Sequence, residues 1–139
     1  MKILFVLYDN DSQTNEFPLG VAYLCSFLRQ HGYKDIAIYH QDIYHFPDEH
    51  LTSFLNNNHF DIVGVGVIGG YYQYKKLKSI CAAINKSDDR PILIIGGHGP
   101  APEPQFFMEK TNADFCVIGE GELPLLNLLN EINGSKKYS

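Results

Sequence analysis

The chain has 139 residues, 45% of them hydrophobic and 19% charged, with a formal net charge of −5. That length suits one domain burying roughly two thirds of its unfolded surface, and the composition excludes a disordered tail. An acidic balance argues against a nucleic-acid partner, and no apolar run approaches the roughly 18 residues needed to span a bilayer, so a soluble cytoplasmic protein is expected.

The chain opens on Ile3 to Tyr8, a continuous apolar run that fits a strand buried on both faces of a parallel sheet. The polar stretch Asp9 to Phe17 follows and is longer than a helix entry requires, which marks it as a candidate binding loop. Pro18 can occupy the first turn of a helix whose apolar stripe is Val21, Leu24, Cys25 and Leu28, with Gly32 as its stop. A second strand is expected over Asp35 to Tyr39. Asp48 then serves as the N-cap of a helix carrying Leu51, Phe54 and Leu55.

Asp61 to Ile68 reads as the third strand, and Leu77, Ile80, Cys81 and Ile84 as the stripe of the helix after it. Pro91 to Ile95 is the fourth strand, Phe106 to Lys110 the centre of a short helix, and Ala113 to Ile118 the fifth strand. Pro124 opens a last helix with the stripe Leu125, Leu128, Leu129 and Ile132, which Asn133-Gly134 ends. The three cysteines, Cys25, Cys81 and Cys116, have no metal-ligand or disulfide spacing, and all three are expected to be buried. Lys75-Lys76-Leu77-Lys78 and Lys136-Lys137 are short basic stretches that fit a solvated helix face and a tail.

Alternation of strand and helix implies a five-stranded parallel sheet with helices on both faces, a flavodoxin-like (Rossmann-like) three-layer α/β sandwich of strand order 2-1-3-4-5. Ligands of such sheets bind outside the carboxyl ends of the strands, where the winding reverses between strands 1 and 3. The loops at that edge hold Gly69-Gly70 after strand 3, Gly96-Gly97-His98-Gly99 after strand 4 and Gly119-Glu120-Gly121-Glu122 after strand 5. Glycine has no side chain to hold a ligand off the backbone. Three clusters on one edge therefore favour a large planar or extended ligand. Gly64-Val65-Gly66-Val67-Ile68-Gly69 matches the dinucleotide string G-x-G-x-x-G but lies within a strand instead of a strand-to-helix turn, so close approach of a helix or ligand to the sheet explains it better. His98 is a candidate ligand contact, with a structural turn role as the alternative. Glu120 and Glu122 fit stabilisation of a helix N-terminus better than an acid-base pair. His31, His40, His45, His50 and His59 are scattered without metal-ligand spacing.

Four segments in order, Pro18-Leu19-Gly20 with Val21 to Leu24, Asp61 to Val65, Gly96-Gly97-His98, and Asp114 through Gly119-Glu120-Gly121-Glu122-Leu123-Pro124, make the chain resemble the amino-terminal cobalamin-binding domain of B12-dependent radical S-adenosylmethionine enzymes. That family includes methyltransferases and the anaerobic magnesium-protoporphyrin monomethyl ester cyclase. The resemblance implies a corrin on the C-terminal edge, with the nucleotide tail entering between the sheet and a flanking helix near the loops after strands 3 and 4, at Gly69, Gly70, Gly96, Gly97 and His98, with Gly119, Glu120 and Gly121 lining the other side and Asp9, Asn10, Asp11 and Ser12 in the loop after strand 1. It further implies a cobalamin unit over residues 1–134, with 135–139 beginning a linker to an absent radical domain. That domain would carry the [4Fe-4S] cluster and S-adenosylmethionine, and this chain by itself would not be catalytic. Many cobalamin domains have Asp-x-His-x-x-Gly after strand 1, whose histidine ligates cobalt from below. Here Asp11 stands at the histidine position and Thr14 at the glycine position, so no lower histidine ligand is expected. A stand-alone cobalamin carrier or sensor and a flavin mononucleotide electron carrier are the alternatives. A phosphorylatable receiver is excluded by Gly69 and Gly119 at the strand ends where it needs aspartate and lysine.

Overall fold

A computed structural model describes residues 1–9, 19–66, 71–97, 103–118 and 121–137. The strands are β1 (Ile3–Leu7), β2 (Ile36–His40), β3 (Ile62–Gly66), β4 (Ile92–Gly96) and β5 (Phe115–Val117). The helices are α1 (Leu19–Gln30), α2 (Gln41–Tyr44), α3 (Asp48–Asn57), α4 (Tyr71–Asn85), α5 (Pro104–Thr111) and α6 (Glu122–Lys137). All strands pair in parallel in the order β2-β1-β3-β4-β5, the flavodoxin-like arrangement expected from the sequence.

Side chains alternate across each strand, so the apolar runs divide between two cores. Leu4, Val6, Val63, Val65, Leu93 and Ile95 face α3, α4 and α5, where Leu51, Leu55, Leu77, Ile80, Cys81 and Ile84 close the layer. Ile3, Phe5, Ile62, Ile94 and Val117 face α1 and α6, packing on Cys25, Leu28, Leu125, Leu126 and Leu129. Burying each such side chain contributes about 1.5–3 kcal/mol relative to exposure, so the two sandwiched layers dominate stability. Gly64, paired opposite Phe5 in β1, has its space filled by the Phe5 ring: a Cβ there would lie 2.9 Å from Phe5 Cε1. This glycine makes room for a neighbouring side chain in the sheet, where the sequence pattern pointed to a helix or ligand.

Some boundaries differ from expectation. Asp48 is the first residue of α3, not its cap; Pro47 holds the N-cap position, and the Asp48 carboxylate accepts a hydrogen bond from Gln41 Nε2 at 2.7 Å. The one-turn helix α2 was not evident from periodicity, being too short to show any. It ends at His45, which adopts φ 52° and donates its backbone N–H to Gln41 O at 2.7 Å. α6 begins at Glu122, so Pro124 falls inside the first turn, where its missing N–H costs nothing. That helix also runs through Asn133-Gly134 to Lys137 instead of stopping there. A glycine within a helix costs about 1 kcal/mol relative to alanine, which lowers stability without enforcing an end. Cys25 and Cys81 are buried as expected, whereas Cys116 is half-buried because β5 is a three-residue edge strand. The expected end of the third strand at Ile68 lies outside the described residues.

The N-terminal edge of the sheet is fastened by two aspartates in equivalent places, each just before a strand. Asp61 Oδ2 accepts the Lys2 backbone N–H at 2.7 Å, aligning β1 with β3. Asp114 Oδ2 accepts the Leu93 N–H at 2.8 Å and the Arg90 guanidinium at 2.9 Å, aligning β4 with β5. Arg90 also bonds Asn85 Oδ1 and Asn112 O, which ties the end of α4 and the end of α5 to the same corner. His59 lies between Asp61 Oδ1 at 3.2 Å and Asp89 Oδ2 at 2.9 Å. Its hydrogen bond to Asp61, then that to Asp89, raises its pKa above the ordinary 6.5.

Replacing Gly64 with valine is expected to lower stability by about 1–3 kcal/mol in denaturant titration, since the new side chain must displace the Phe5 ring within a filled core. The raised pKa of His59 stabilises the fold fully below about pH 6.5 and progressively less as pH rises through the raised value. The thermal stability of His59→Ala is therefore expected to fall short of the unaltered chain at pH 5.5 and to converge with it at alkaline pH.

Candidate functional site

In this winding α1 leaves β1 toward one face while α4 leaves β3 toward the other, so a crevice opens between the carboxyl ends of those adjacent strands. Of the residues singled out in the sequence, Asp9, Gly96, Gly97 and Gly121 are described and all belong to this edge. Asn10, Asp11, Ser12, Gly69, Gly70, His98, Gly119 and Glu120 lie outside the described residues.

The floor of the edge is bare backbone. Gly66 and Gly96, the last residues of β3 and β4, are register partners, so two side chains are missing next to each other at the centre of the sheet. Their alternation with Ile62, Gly64, Ile92 and Ile94 places both on the α1/α6 face. Among the described residues a Cβ on Gly66 would meet nothing within 4 Å, and one on Gly96 would stand 3.3 Å from Val117 O. Gly97 turns the chain with φ 112°, a conformation that side chains resist. Gly20 at the start of α1 and Gly121 before α6 also face open space. The sequence singled out Gly66 only as part of a strand; its role emerges from the register with Gly96.

Large apolar side chains surround this floor in the open. Ile118 after β5 is 52% exposed, Leu123 in the first turn of α6 59%, and Tyr72 in the first turn of α4 46%. Tyr44 of α2 and Phe106 in the first turn of α5 are exposed as well. Each of these positions follows a strand's carboxyl end, whereas Tyr23 within α1, Ile38 within β2 and Phe115 at the start of β5 are exposed elsewhere on the surface.

Beside the crevice, where β1 ends, the Asp9 backbone N–H donates to Gln41 Oε1 at 2.8 Å, and the Asp9 carboxylate bonds His45 Nδ1 at 2.8 Å. Gln41 escaped the sequence reading, and His45 entered it only as one of several scattered histidines. The only signal for them was a glutamine placed directly after an apolar strand and a histidine among loop residues. The thiols offer no nucleophile: burial pushes the Cys81 thiol up to about 12 and raises those of Cys25 and Cys116. Glu122 sits in the first turn of α6, where a carboxylate complements the helix dipole, in keeping with the structural role expected for it.

The arrangement suits a ligand with a broad flat body that lies against backbone and buries apolar surface. The chain is 26% identical over 140 residues to the anaerobic magnesium-protoporphyrin IX monomethyl ester cyclase of Rubrivivax gelatinosus, a match covering 96% of this chain and 25% of that protein. Its fold is similar to the radical S-adenosylmethionine methyltransferase TsrM of Kitasatospora setae, solved with cobalamin and a [4Fe-4S] cluster bound, at a TM-score of 0.80 and 18% identity over 97% of this chain and 25% of TsrM. It is also similar to the cobalamin-dependent S-adenosylmethionine radical enzyme OxsB, solved with aqua-cobalamin, at a TM-score of 0.71 and 21% identity over 95% of this chain and 18% of OxsB. The chain therefore spans about a quarter or less of these relatives. Among the described residues no helix is long and apolar enough to cross a membrane. The sequence model of the B12 binding domain matches residues 8–129, nearly the whole of the folded unit, and the chain belongs to that family.

Proposed function

We propose that this chain binds cobalamin on the C-terminal edge of its sheet and presents it to a radical S-adenosylmethionine domain, in a protein that performs methyl transfer or oxidative cyclisation. The observation that carries the reading is the pair Gly66 and Gly96, side by side at the ends of β3 and β4 with open space above Gly66. A corrin is wide and flat, and it reaches van der Waals contact with a sheet edge only where no side chain projects. In this reading Gly69, Gly70, Gly96, Gly97 and His98 form the seat, Asp9, Asn10, Asp11 and Ser12 close one side, and Gly119, Glu120 and Gly121 the other. The apolar rim of Tyr72, Ile118 and Leu123 buries the ligand's hydrocarbon periphery and offers a surface to the domain that acts on it.

When bound, cobalamin supplies a cobalt centre able to pass on a methyl group. This chain's residues would bind it and orient it. Position 11 carries aspartate where the motif Asp-x-His-x-x-Gly would place a ligating histidine, so this loop would supply cobalt with no histidine ligand. The [4Fe-4S] cluster and S-adenosylmethionine belong to the remainder of the protein. The three cysteines here lack the C-x-x-x-C-x-x-C spacing such a cluster needs, and their thiols are held protonated by burial. Residues 1–134 make up the cobalamin unit in this reading, with 135–139 leading toward that remainder.

Purified chain mixed with hydroxocobalamin is expected to carry the colour through gel filtration at a ratio near one. Gly66→Leu is expected to keep its melting temperature, because the position is open and exposed, yet to lose affinity by about tenfold or more, equivalent to about 1.4 kcal/mol. Retention of flavin mononucleotide in place of cobalamin, or unchanged binding by Gly66→Leu, contradicts the proposal. Electron paramagnetic resonance of the cob(II)alamin complex, made with ¹⁵N-histidine-labelled protein and with unlabelled protein, is expected to give identical spectra; a change in nitrogen splitting on labelling would show a histidine on cobalt.

A further inference from the structure

Gln41 is 1% exposed, and three of the four hydrogen-bonding directions of its amide are used by other segments. Oε1 accepts the Asp9 N–H at 2.8 Å, while Nε2 donates to Phe46 O at 2.8 Å and to Asp48 Oδ1 at 2.7 Å. The amide orientation follows from these partners: one is a donor and two are acceptors, so a flipped amide would set an N–H against an N–H and an oxygen against two oxygens. A single side chain thus joins the residue that leaves β1, the turn after α2 and the first turn of α3. His45, held in a left-handed conformation at the end of α2, reaches the same residue from the other side, with Nδ1 2.8 Å from Asp9 Oδ2. Asp9 is therefore gripped twice by the connection between β2 and α3, once by its backbone and once by its carboxylate. A buried amide with three hydrogen bonds to three segments is costly to build and holds one geometry strongly. The fold does not need it to place β1, whose strand pairing with β2 and β3 already does so. What the amide fixes is the direction in which the chain leaves the sheet.

We propose that Gln41 is a positioning residue for the ligand, acting through Asp9: it fixes the Asp9 backbone, as His45 fixes the Asp9 carboxylate, at the carboxyl end of β1, from where that carboxylate accepts hydrogen bonds from the peripheral amides of the corrin. His45 completes the grip. The proposal rests on the cobalamin reading above and names a residue from outside the glycine loops as a determinant of affinity.

A double-mutant cycle on hydroxocobalamin affinity tests it. Gln41→Met and Asp9→Ala are each expected to weaken binding by about tenfold, and the double variant by no more than Asp9→Ala alone, because residues acting through one contact are not additive. Thr111→Val removes another buried hydrogen bond, to Phe107 O at 2.7 Å, at the far end of α5. It is expected to lower the melting temperature while leaving affinity unchanged, which separates loss of stability from loss of positioning. If Gln41→Met does not fold, His45→Ala takes its place; its side chain is half exposed, and a loss of about threefold that disappears in the Asp9→Ala background is expected. Wild-type affinity in Gln41→Met, or losses that multiply in the double variant, overturn the proposal, and for His45→Ala an absent or multiplying loss does the same. Failure of the unaltered chain to hold cobalamin overturns the underlying reading instead, and it is seen before any variant is measured.

Discussion

A parallel sheet sends every strand's carboxyl end to one edge, and the reversal of winding between β1 and β3 parts the connecting helices over that edge. The rest of this molecule follows from that constraint. Two cores hold the sheet from above and below, so its faces are occupied and only its ends are available for binding. The chain treats the two ends differently. At the N-terminal edge Asp61 and Asp114 fasten neighbouring strands through backbone N–H groups, and side chains from α4 and the loops crowd around them. At the C-terminal edge the central strands end in Gly66 and Gly96, and the fastening is moved sideways to Gln41 and His45 beside β1.

That division separates residues that hold the fold from residues that hold a ligand, even where a resemblance groups them together. Asp61 and Asp114 are among the residues that make the chain look like a cobalamin domain, yet each works at the edge opposite the crevice. Gly64 likewise serves the core, filled by the Phe5 ring, while Gly66 two residues later on the same face meets open space. The same residue type on one strand thus makes room for a core side chain at one position and leaves bare backbone at the next, and only distance to neighbours tells them apart.

Much of the fold was legible because its signals are local. Ile3 to Leu7 and Ile92 to Ile95 are apolar runs that only a doubly covered strand explains, and the stripes at Leu77, Ile80, Cys81 and Ile84 repeat at helical spacing. The strand order followed from alternation. What escaped was decided by contacts distant in sequence: Gln41 pairs with Asp9 across 32 positions, and that network draws Asp48 away from a capping role. α2 is a single turn, too short for periodicity, and α6 passes through Gly134 because one glycine weakens a helix without ending it. Of the candidate site, the edge and its glycine composition were legible. The facing pair Gly66 and Gly96 was not, since register between strands is a property of the folded sheet.

The central claim is that cobalamin sits on the glycine-bare carboxyl ends of β3 and β4. Hydrogen–deuterium exchange of the chain with and without saturating hydroxocobalamin addresses it directly, because backbone amides report where a ligand covers backbone. The account predicts added protection in peptides spanning Gly66, Gly96-Gly97 and the start of α6, together with Asp9, and no change around Asp61, Arg90 and Asp114. Protection centred on those N-terminal-edge residues, or none at the glycine ends in a chain shown to retain cobalamin, would contradict it.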